Sequence, residues 1–232
     1  MVICDCDSNG IGYAVLACYA ARGYGPSILH TKHSDWLSCI SDPDLIVKPW
    51  RRTDCPIYDA YQDELLATRD GAMSRAEWYS SRISHHAGLN PKSPSRPSVS
   101  IVGKDFPVMI FPGSAWSGRE WPLEHWVRLA RLVARSVPVA VLTIDEQKAR
   151  IFSCTPVSFY WGQSPQWILD RMAGCPLVIG NDSGMVHLAG LLGKPALAIH
   201  AQIRPEVLYK ESGSVISVIP DSSCCGCHFQ GI

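Results

Sequence analysis

The sequence has 232 residues, 47% of them hydrophobic and 18% charged, and its 21 basic and 21 acidic side chains cancel at neutral pH. This composition excludes intrinsic disorder, and the length fits one large domain or two small ones. The lack of a basic excess argues against a partner held mainly by charge, such as a nucleic-acid backbone.

Nothing in the sequence predicts export or insertion into a membrane. The first residues, Met1–Asp7, carry two aspartates and no long apolar stretch, unlike a signal peptide. No run of 18 uninterrupted apolar residues predicts a transmembrane helix. The ten cysteines fit reduced thiols better than a disulfide scaffold, because the chain has enough core residues to fold without one. We therefore expect a cytoplasmic location.

The first half of the chain alternates strands and helices. Val2–Cys6 predicts a strand that ends in polar residues, and apolar residues at helical spacing predict a helix over Tyr13–Arg22 with Gly23 as its C-cap. A helical region with a break near Gly71 follows two further short strands. These segments are Ser27–His30, Leu45–Val47 and Tyr58–His86.

A proline-rich segment then separates two domains. Gly88–Ser98 carries three prolines and almost no core residues, which predicts a domain 1–90, a linker 91–106 and a domain 107–232. The alternation restarts beyond it. Strands and helices are predicted at Val108–Phe111, Leu123–Ser136, Val139–Ile144, Pro165–Ala173, Leu177–Ile179, Ser183–Leu192, Ala196–His200 and Val215–Ile219. This rhythm predicts an α/β protein with two Rossmann-like parallel-sheet domains.

The most informative stretch is 178–195, with the sequence VIGNDSGMVHLAGLLGKP. A buried strand leads into Asp182, and a helix opens at Ser183, where free backbone N–H groups favour phosphate. Gly180 and Gly184 allow close approach of the backbone to a ligand, and His187 lies one turn further on. The alternatives are that Asp182 only caps the helix and that His187 is a structural histidine.

The second stretch is 110–126, with the sequence IFPGSAWSGREWPLEHW. A strand ends at Gly113 and Ser114, at the same edge of the predicted sheet. Arg119 lies in a loop next to a glycine, where a guanidinium pairs well with a diphosphate. The alternative is a surface arginine bridging to Glu120 or Glu124.

Together these two stretches resemble the signature segments of glycosyltransferase family 9, the heptosyltransferases. The family has a Pro-Gly-Ser loop after a strand, a basic residue before Trp-Pro and a helix with Trp. Later it has Gly-Asn-Asp-Ser-Gly, then His-Leu-Ala, then Gly-Lys-Pro or Gly-Thr-Pro. The resemblance covers residues 108–200, about the second half of the chain. It implies a GT-B fold that binds a nucleotide sugar in the C-terminal half and an acceptor in the N-terminal half.

The resemblance also implies roles for individual residues. Gly113, Ser114 and Arg119 would meet the donor diphosphate, Arg119 standing where the family usually has lysine. Ser183 and Gly184 would offer backbone N–H groups to the phosphates, Asp182 would face the transferred sugar, and His187 would lie behind it. The leaving diphosphate would then be stabilised without a metal.

The N-terminal half departs from the family pattern. The family's loop carries Gly-Asp, whose aspartate is the presumed base for the acceptor hydroxyl, whereas this chain has Ser8–Gly12 in that place. Asp7, or Asp5, is near enough to substitute, the alternative being a loop-capping aspartate. This half is also short, and the chain ends at Ile232 where a GT-B protein has a further helix, so we expect a shortened or truncated member.

A last cluster combines Cys224, Cys225, Cys227 and His228. A structural metal at these four residues is one interpretation, although adjacent cysteines seldom bind one ion together, and clustered free thiols are the other. We expect no cofactor besides the nucleotide sugar.

The leading hypothesis is an inverting, metal-independent glycosyltransferase that uses a nucleotide-diphosphate sugar, such as an ADP-sugar. Its acceptor would be a glycan, a lipid-linked group or another hydroxyl, and a modified DNA base stays open. The alternatives are a nucleotide-sugar sensor without catalysis and a sugar-nucleotide epimerase.

Overall fold

The computed structural model describes residues 1–8, 10–39, 42–57, 61–69, 71–99 and 102–221. They form two compact units, each built on its own parallel sheet. The first unit takes its described residues from Met1–Ser100 and Ile203–Gly213, and the second from Ile101–Gln202 and Ser214–Cys225. The predicted α/β class with two parallel-sheet domains is confirmed.

The first unit is built from alternating strands and helices. Its elements are β1 (Val2–Cys6), α1 (Ile11–Arg22), β2 (Ser27–Thr31), α2 (Ser34–Leu37), β3 (Leu45–Pro49), α3 (Tyr61–Thr68) and α4 (Arg75–Ala87). The three strands form a parallel sheet in the order β1-β2-β3, and an isolated bridge joins Asp5 of the edge strand β1 to Pro56. The helix α1 has eight consecutive buried residues, Ala14–Ala21, because it packs between the sheet and α4.

A buried ion pair joins α3 to α4. Glu64 Oε1 lies 2.7 Å from Arg75 Nε, and both side chains are 1% exposed. The Tyr79 hydroxyl donates to Glu64 Oε2 at 3.0 Å, and Arg75 donates to the Tyr13 hydroxyl at 3.0 Å. Burial raises the pKa of Glu64, and the neighbouring Arg75 charge opposes that rise. This pair therefore ties the helical layer of the first unit together through two charges held out of water.

The second unit contains a parallel sheet in the order β6-β5-β4-β7-β8-β9. Numbered within the unit, this order is 3-2-1-4-5-6, the order of dinucleotide-binding Rossmann folds. Its elements are β4 (Val108–Phe111), α5 (Leu123–Val133), β5 (Val139–Thr143), α6 (Glu146–Arg150), β6 (Ser158–Trp161), α7 (Pro165–Gly174), β7 (Val178–Asn181), α8 (Gly184–Leu191), β8 (Ala196–Ile199), α9 (Pro205–Leu208, which lies in the first unit) and β9 (Val215–Val218).

The core of the second unit forms where α5 packs on the sheet. Trp126 and Ala130 on α5 are fully buried against Ile110 and Val141, the central residues of β4 and β5. Trp126 and Ala130 lie four positions apart and so share one face of α5, which is the face that the structure buries. A side chain as large as Trp126 contributes about 3 kcal/mol or more to such a core, because its whole surface leaves water.

Residues 203–213 return to the first unit, which the sequence pattern did not indicate. The Ser74 hydroxyl, which also caps α4 in a reciprocal box with Glu77, donates to Glu211. Lys210 Nζ lies 2.7 Å from Glu77 Oε1. These polar contacts join segments more than 130 positions apart, so local sequence gave no signal for them. The sequence also did not predict α2, α6, β6 or α9, which are all five residues or shorter.

Among the described residues, no helix combines the length and the apolar character needed to cross a bilayer.

Candidate donor site

The ends of β4 and β7 meet in the middle of the second sheet. The two strands pair in parallel, from Met109 with Val178 to Phe111 with Gly180. The sheet order reverses between them, because the strands after β4 lie on one side and those after β7 on the other. In open parallel sheets, ligands bind at the carboxyl ends of the strands where the order reverses. Both informative stretches of the sequence therefore emerge at the binding position of this fold.

Asn181, the last residue of β7, ties the two stretches together. Its Nδ2 donates to the Pro112 carbonyl at 2.7 Å, and its Oδ1 accepts from the Trp121 N–H at 2.9 Å. The side chain is completely buried. One carboxamide thus fixes both the start and the end of the loop that carries Arg119, across 60 or more positions of sequence.

Glu120 holds the middle of the same loop. Its Oε1 accepts from the Ser114 N–H at 3.0 Å, and Lys148 Nζ lies 3.0 Å from both carboxylate oxygens. The Ser114 N–H is therefore already bonded, while its hydroxyl accepts from the Trp116 N–H at 3.5 Å. A Cβ atom on Gly113 would meet nothing nearer than Glu120 at 4.0 Å, so the turn is open on that side.

Arg119 turns toward β7. Its Nη1 lies 3.6 Å from Asp182 Oδ2, and its guanidinium lies 5.6 Å from the centre of the Trp116 ring. The Asp182 side chain is 1% exposed and that of Arg119 is 17% exposed. The alternative was a surface arginine bridging to Glu120 or Glu124, whereas the ion pair observed for Arg119 is with Asp182, and Glu120 pairs with Lys148. The structure thus unites the guanidinium of one stretch with the carboxylate of the other.

The helix α8 begins at this point without a side-chain cap. Its N-cap is Ser183 rather than Asp182, and the Ser183 hydroxyl makes no capping bond. Within the described residues, the backbone N–H groups of Gly184 and Met185 make no hydrogen bond. Free N–H groups at a helix start, with the helix dipole behind them, attract an anion. Arg119 supplies a full positive charge beside them.

The remaining predicted residues lie on the strand before this turn and on the helix after it. Gly180 lets β7 approach its neighbours, because a Cβ there would lie 3.0 Å from Val186 and 3.3 Å from the Phe111 carbonyl. His187 lies on α8, five positions after Asp182, and is 7% exposed. Lys194, part of the Gly-Lys-Pro signature, donates to the Ala173 carbonyl at 2.6 Å and so stabilises the end of α7.

A cavity of about 210 Å³ opens beside the loop that follows β4. Its lining combines two prolines and a tryptophan with the charged pair Glu120 and Lys148. Its lining residues are Pro112, Ser117, Glu120, Trp121, Pro122, Leu123 and Lys148.

In the first unit, the two aspartates proposed as the base differ in their surroundings. Asp5 is 1% exposed, and its Oδ2 accepts from the Thr53 N–H and hydroxyl, both at 2.7 Å. Asp7 follows β1, is partly exposed and forms an ion pair with Lys32. Asp5 therefore holds a loop, whereas Asp7 is the carboxylate that solvent reaches. The cluster of Cys224, Cys225, Cys227 and His228 lies outside the described residues.

Sequence reasoning missed Asn181, Glu120 and Lys148 as parts of this site. Asn181 and Glu120 stand inside the two stretches, so their positions were visible, but their partners were not. Lys148 lies on α6 after β5 and carries no motif. The only available signal for it was its place after a strand that neighbours β4.

Comparisons with known proteins agree with this description. Residues 166–225 match the profile of glycosyltransferase family 9 (heptosyltransferase). No curated protein matches the sequence. Among solved structures, E. coli heptosyltransferase WaaC with ADP has a TM-score of 0.69 at 12% identity, covering 99% of this chain and 98% of that chain. The family 9 glycosyl transferase from Veillonella parvula DSM 2008 has a TM-score of 0.67 at 14% identity, covering 94% and 86%. E. coli ADP-heptose lps heptosyltransferase II has a TM-score of 0.60 at 13% identity, covering 94% and 90%.

Because the sequence identities are low, the similar structures show only that the fold is shared. The family profile shows a sequence similarity, over residues 166–225. The resemblance to glycosyltransferase family 9 is therefore confirmed in that segment, and the chain has the α/β fold of the solved heptosyltransferases.

Proposed function

We propose that this protein is a glycosyltransferase that moves a sugar from a nucleotide-diphosphate sugar to an acceptor hydroxyl, with inversion and without a metal. One observation carries the proposal. The Arg119 guanidinium lies 3.6 Å from Asp182 beside the uncapped start of α8, where the sheet order reverses. A cation and free N–H groups at this place suit a diphosphate.

The chemistry follows from that arrangement. The bond between the sugar C1 and the diphosphate oxygen breaks, and the diphosphate keeps the electron pair. Arg119 and the N–H groups of Gly184 and Met185 stabilise the added negative charge, because fixed donors need little reorganisation as charge develops. The acceptor oxygen forms the new bond to C1 from the opposite face. Its proton goes to a carboxylate, for which we propose Asp7.

In this mechanism, Asp182 has a separate task. Its buried carboxylate holds Arg119 and faces the transferred sugar, where a negative charge favours the electron-poor C1 of the transition state. We propose an ADP-sugar as donor, because the similar structure of WaaC is a structure with ADP and the similar heptosyltransferase II is an ADP-heptose heptosyltransferase. The acceptor is a hydroxyl on a glycan or a lipid-linked group.

Calorimetry with ADP, UDP and ADP-heptose tests the donor site. Arg119→Ala should weaken ADP binding about 10- to 100-fold, because it removes a charged donor from a phosphate. Arg128→Ala, which removes an exposed arginine on α5, is the matched control and should bind as the parent protein does. The proposal fails if the parent protein binds none of these nucleotides, or if Arg119→Ala binds them equally well.

Turnover separates a transferase from a sensor. A transferase should slowly hydrolyse ADP-heptose when no acceptor is present, and EDTA should leave that rate unchanged. Proton NMR of the glycoside formed from a model alcohol should show the inverted anomer. A protein that binds ADP-heptose yet never releases ADP from it would be a sensor.

A further inference from the structure

Gln202 follows β8 and contacts the loop that follows β4. A Cβ atom on Gly118 would lie 2.6 Å from Gln202 Nε2 and 3.3 Å from Oε1, so the carboxamide packs on the turn that carries Arg119. The strand β7 lies between β4 and β8 in the sheet, and the Asp182 N–H donates to the Ile199 carbonyl at 3.0 Å. The strand β8, which precedes Gln202, therefore lies on the side of β7 opposite β4, while the Gln202 carboxamide contacts the β4 loop.

Three buried polar atoms at this edge have no hydrogen-bond partner in the described part of the chain. They are Gln202 Oε1, Arg119 Nε and Ser183 Oγ, and they come from three separate segments. Buried polar atoms in native proteins are paired in the great majority of cases. These three atoms at one sheet edge are therefore available to the polar groups of a ligand.

Whether each atom donates or accepts a hydrogen bond limits the part of a ligand that it can contact. Arg119 Nε is a donor and matches a phosphate oxygen. Gln202 Oε1 only accepts, and the oxygens of a diphosphate at neutral pH also only accept, so these two cannot pair. A hydroxyl group donates. In a nucleotide sugar, the donors on either side of the diphosphate are the hydroxyl groups of the two sugars, so a hydroxyl is the group that fits Gln202 Oε1.

We infer that Gln202 is a specificity-determining residue of the donor site, whose Oε1 accepts a hydrogen bond from a sugar hydroxyl next to the diphosphate. The inference rests on the proposed function, since it requires a nucleotide sugar in the site. The hydroxyl belongs either to the transferred sugar or to the ribose. Both present the same chemistry to Oε1, and different probes distinguish them.

The test compares Gln202→Met with the parent protein by calorimetry, using ADP and ADP-heptose. Methionine has a similar length and removes the whole carboxamide, the acceptor Oε1 together with the donor Nε2. We expect binding about tenfold weaker, the effect of one lost hydrogen bond to a ligand. A loss for ADP-heptose alone assigns the hydroxyl to the transferred sugar, and an equal loss for both probes assigns it to the ribose. Unchanged binding of both probes overturns the inference.

A thermal unfolding measurement without ligand separates this role from a structural one. Removing an unpaired buried oxygen should leave the melting temperature equal or higher, whereas a structural glutamine would lower it when replaced. Gln166→Met, on α7, is the matched control and should bind both probes normally. If the parent protein binds neither probe, the proposed function fails; if it binds them and Gln202→Met does too, only this inference fails.

Discussion

Replacing Asn181 tests whether one side chain holds the loop that carries Arg119 in place. Asn181→Leu keeps a similar volume and removes both hydrogen bonds, leaving the Pro112 carbonyl and the Trp121 N–H buried without partners. Each unpaired group costs about 1–3 kcal/mol, so for the two groups we expect a loss of about 2–6 kcal/mol in the free energy of unfolding. For a chain of this size, that lowers the melting temperature by about 10 °C.

A second variant, Asn181→Asp, separates the two bonds. Its carboxylate still accepts from the Trp121 N–H, but it repels the Pro112 carbonyl oxygen until it takes up a proton. The protonated form donates to that carbonyl, so the fold raises the pKa of the new carboxyl group. Stability from this bond is then present at low pH and disappears as the pH rises through the folded-state pKa. The deficit relative to the parent protein should shrink between pH 7 and pH 5.

Urea unfolding followed by tryptophan fluorescence measures both effects, with ADP affinity as a second readout. Asn90, which is exposed, supplies the control substitutions Asn90→Leu and Asn90→Asp, which should change stability by less than about 0.5 kcal/mol. The reasoning is refuted if the free energy of unfolding of Asn181→Leu lies within about 1 kcal/mol of the parent value, a difference that corresponds to about 2 °C in melting temperature. A deficit of Asn181→Asp that does not vary with pH would also refute it.

Two further predictions concern the first unit. Glu64→Gln should lower the free energy of unfolding in urea by about 3–5 kcal/mol, because it leaves the buried Arg75 charge unpaired. The double variant Glu64→Leu/Arg75→Met should recover most of that loss. Equal stability of Glu64→Gln and the parent protein would contradict this prediction. In the folded protein at pH 8, iodoacetamide should modify the exposed Cys154 but not Cys6, since Cys6 is fully buried and burial raises its pKa to about 12. Peptide mass mapping before and after unfolding measures this, and early alkylation of Cys6 would show that the first unit opens.

Much of the fold was predictable because its signals are local. The apolar face of α5, with Trp126 and Ala130, follows from helical spacing alone. The first four residues of the strand Val139–Thr143 are apolar and buried, because both faces of the strand are covered. The break between α3 and α4 falls at Gly71, whose φ of +77° suits glycine. In each case a property of neighbouring residues decided the structure.

Parts of the candidate site were not predictable for the opposite reason. Arg119 had an acidic neighbour at Glu120, and sequence proximity favoured a bridge between them. The structure gives Glu120 to Lys148, 28 positions away, and turns Arg119 toward Asp182, 63 positions away. Sequence cannot rank such partners, because the free energy of an ion pair depends on burial and geometry rather than on spacing along the chain.

The sequence by itself determined where the strands end and which polar residues follow them. Pro112–Ser114 and Asp182–Gly184 were recognisable because a strand, a tight turn and a helix start all have local chemical signatures. Only the tertiary structure decided that these two ends are neighbours. The order β6-β5-β4-β7-β8-β9 depends on hydrogen bonds between distant strands, and it brings Arg119, Asp182 and Gln202 to one edge. Strand pairing of this kind is a property of the whole sheet, so no single segment of the sequence contains it.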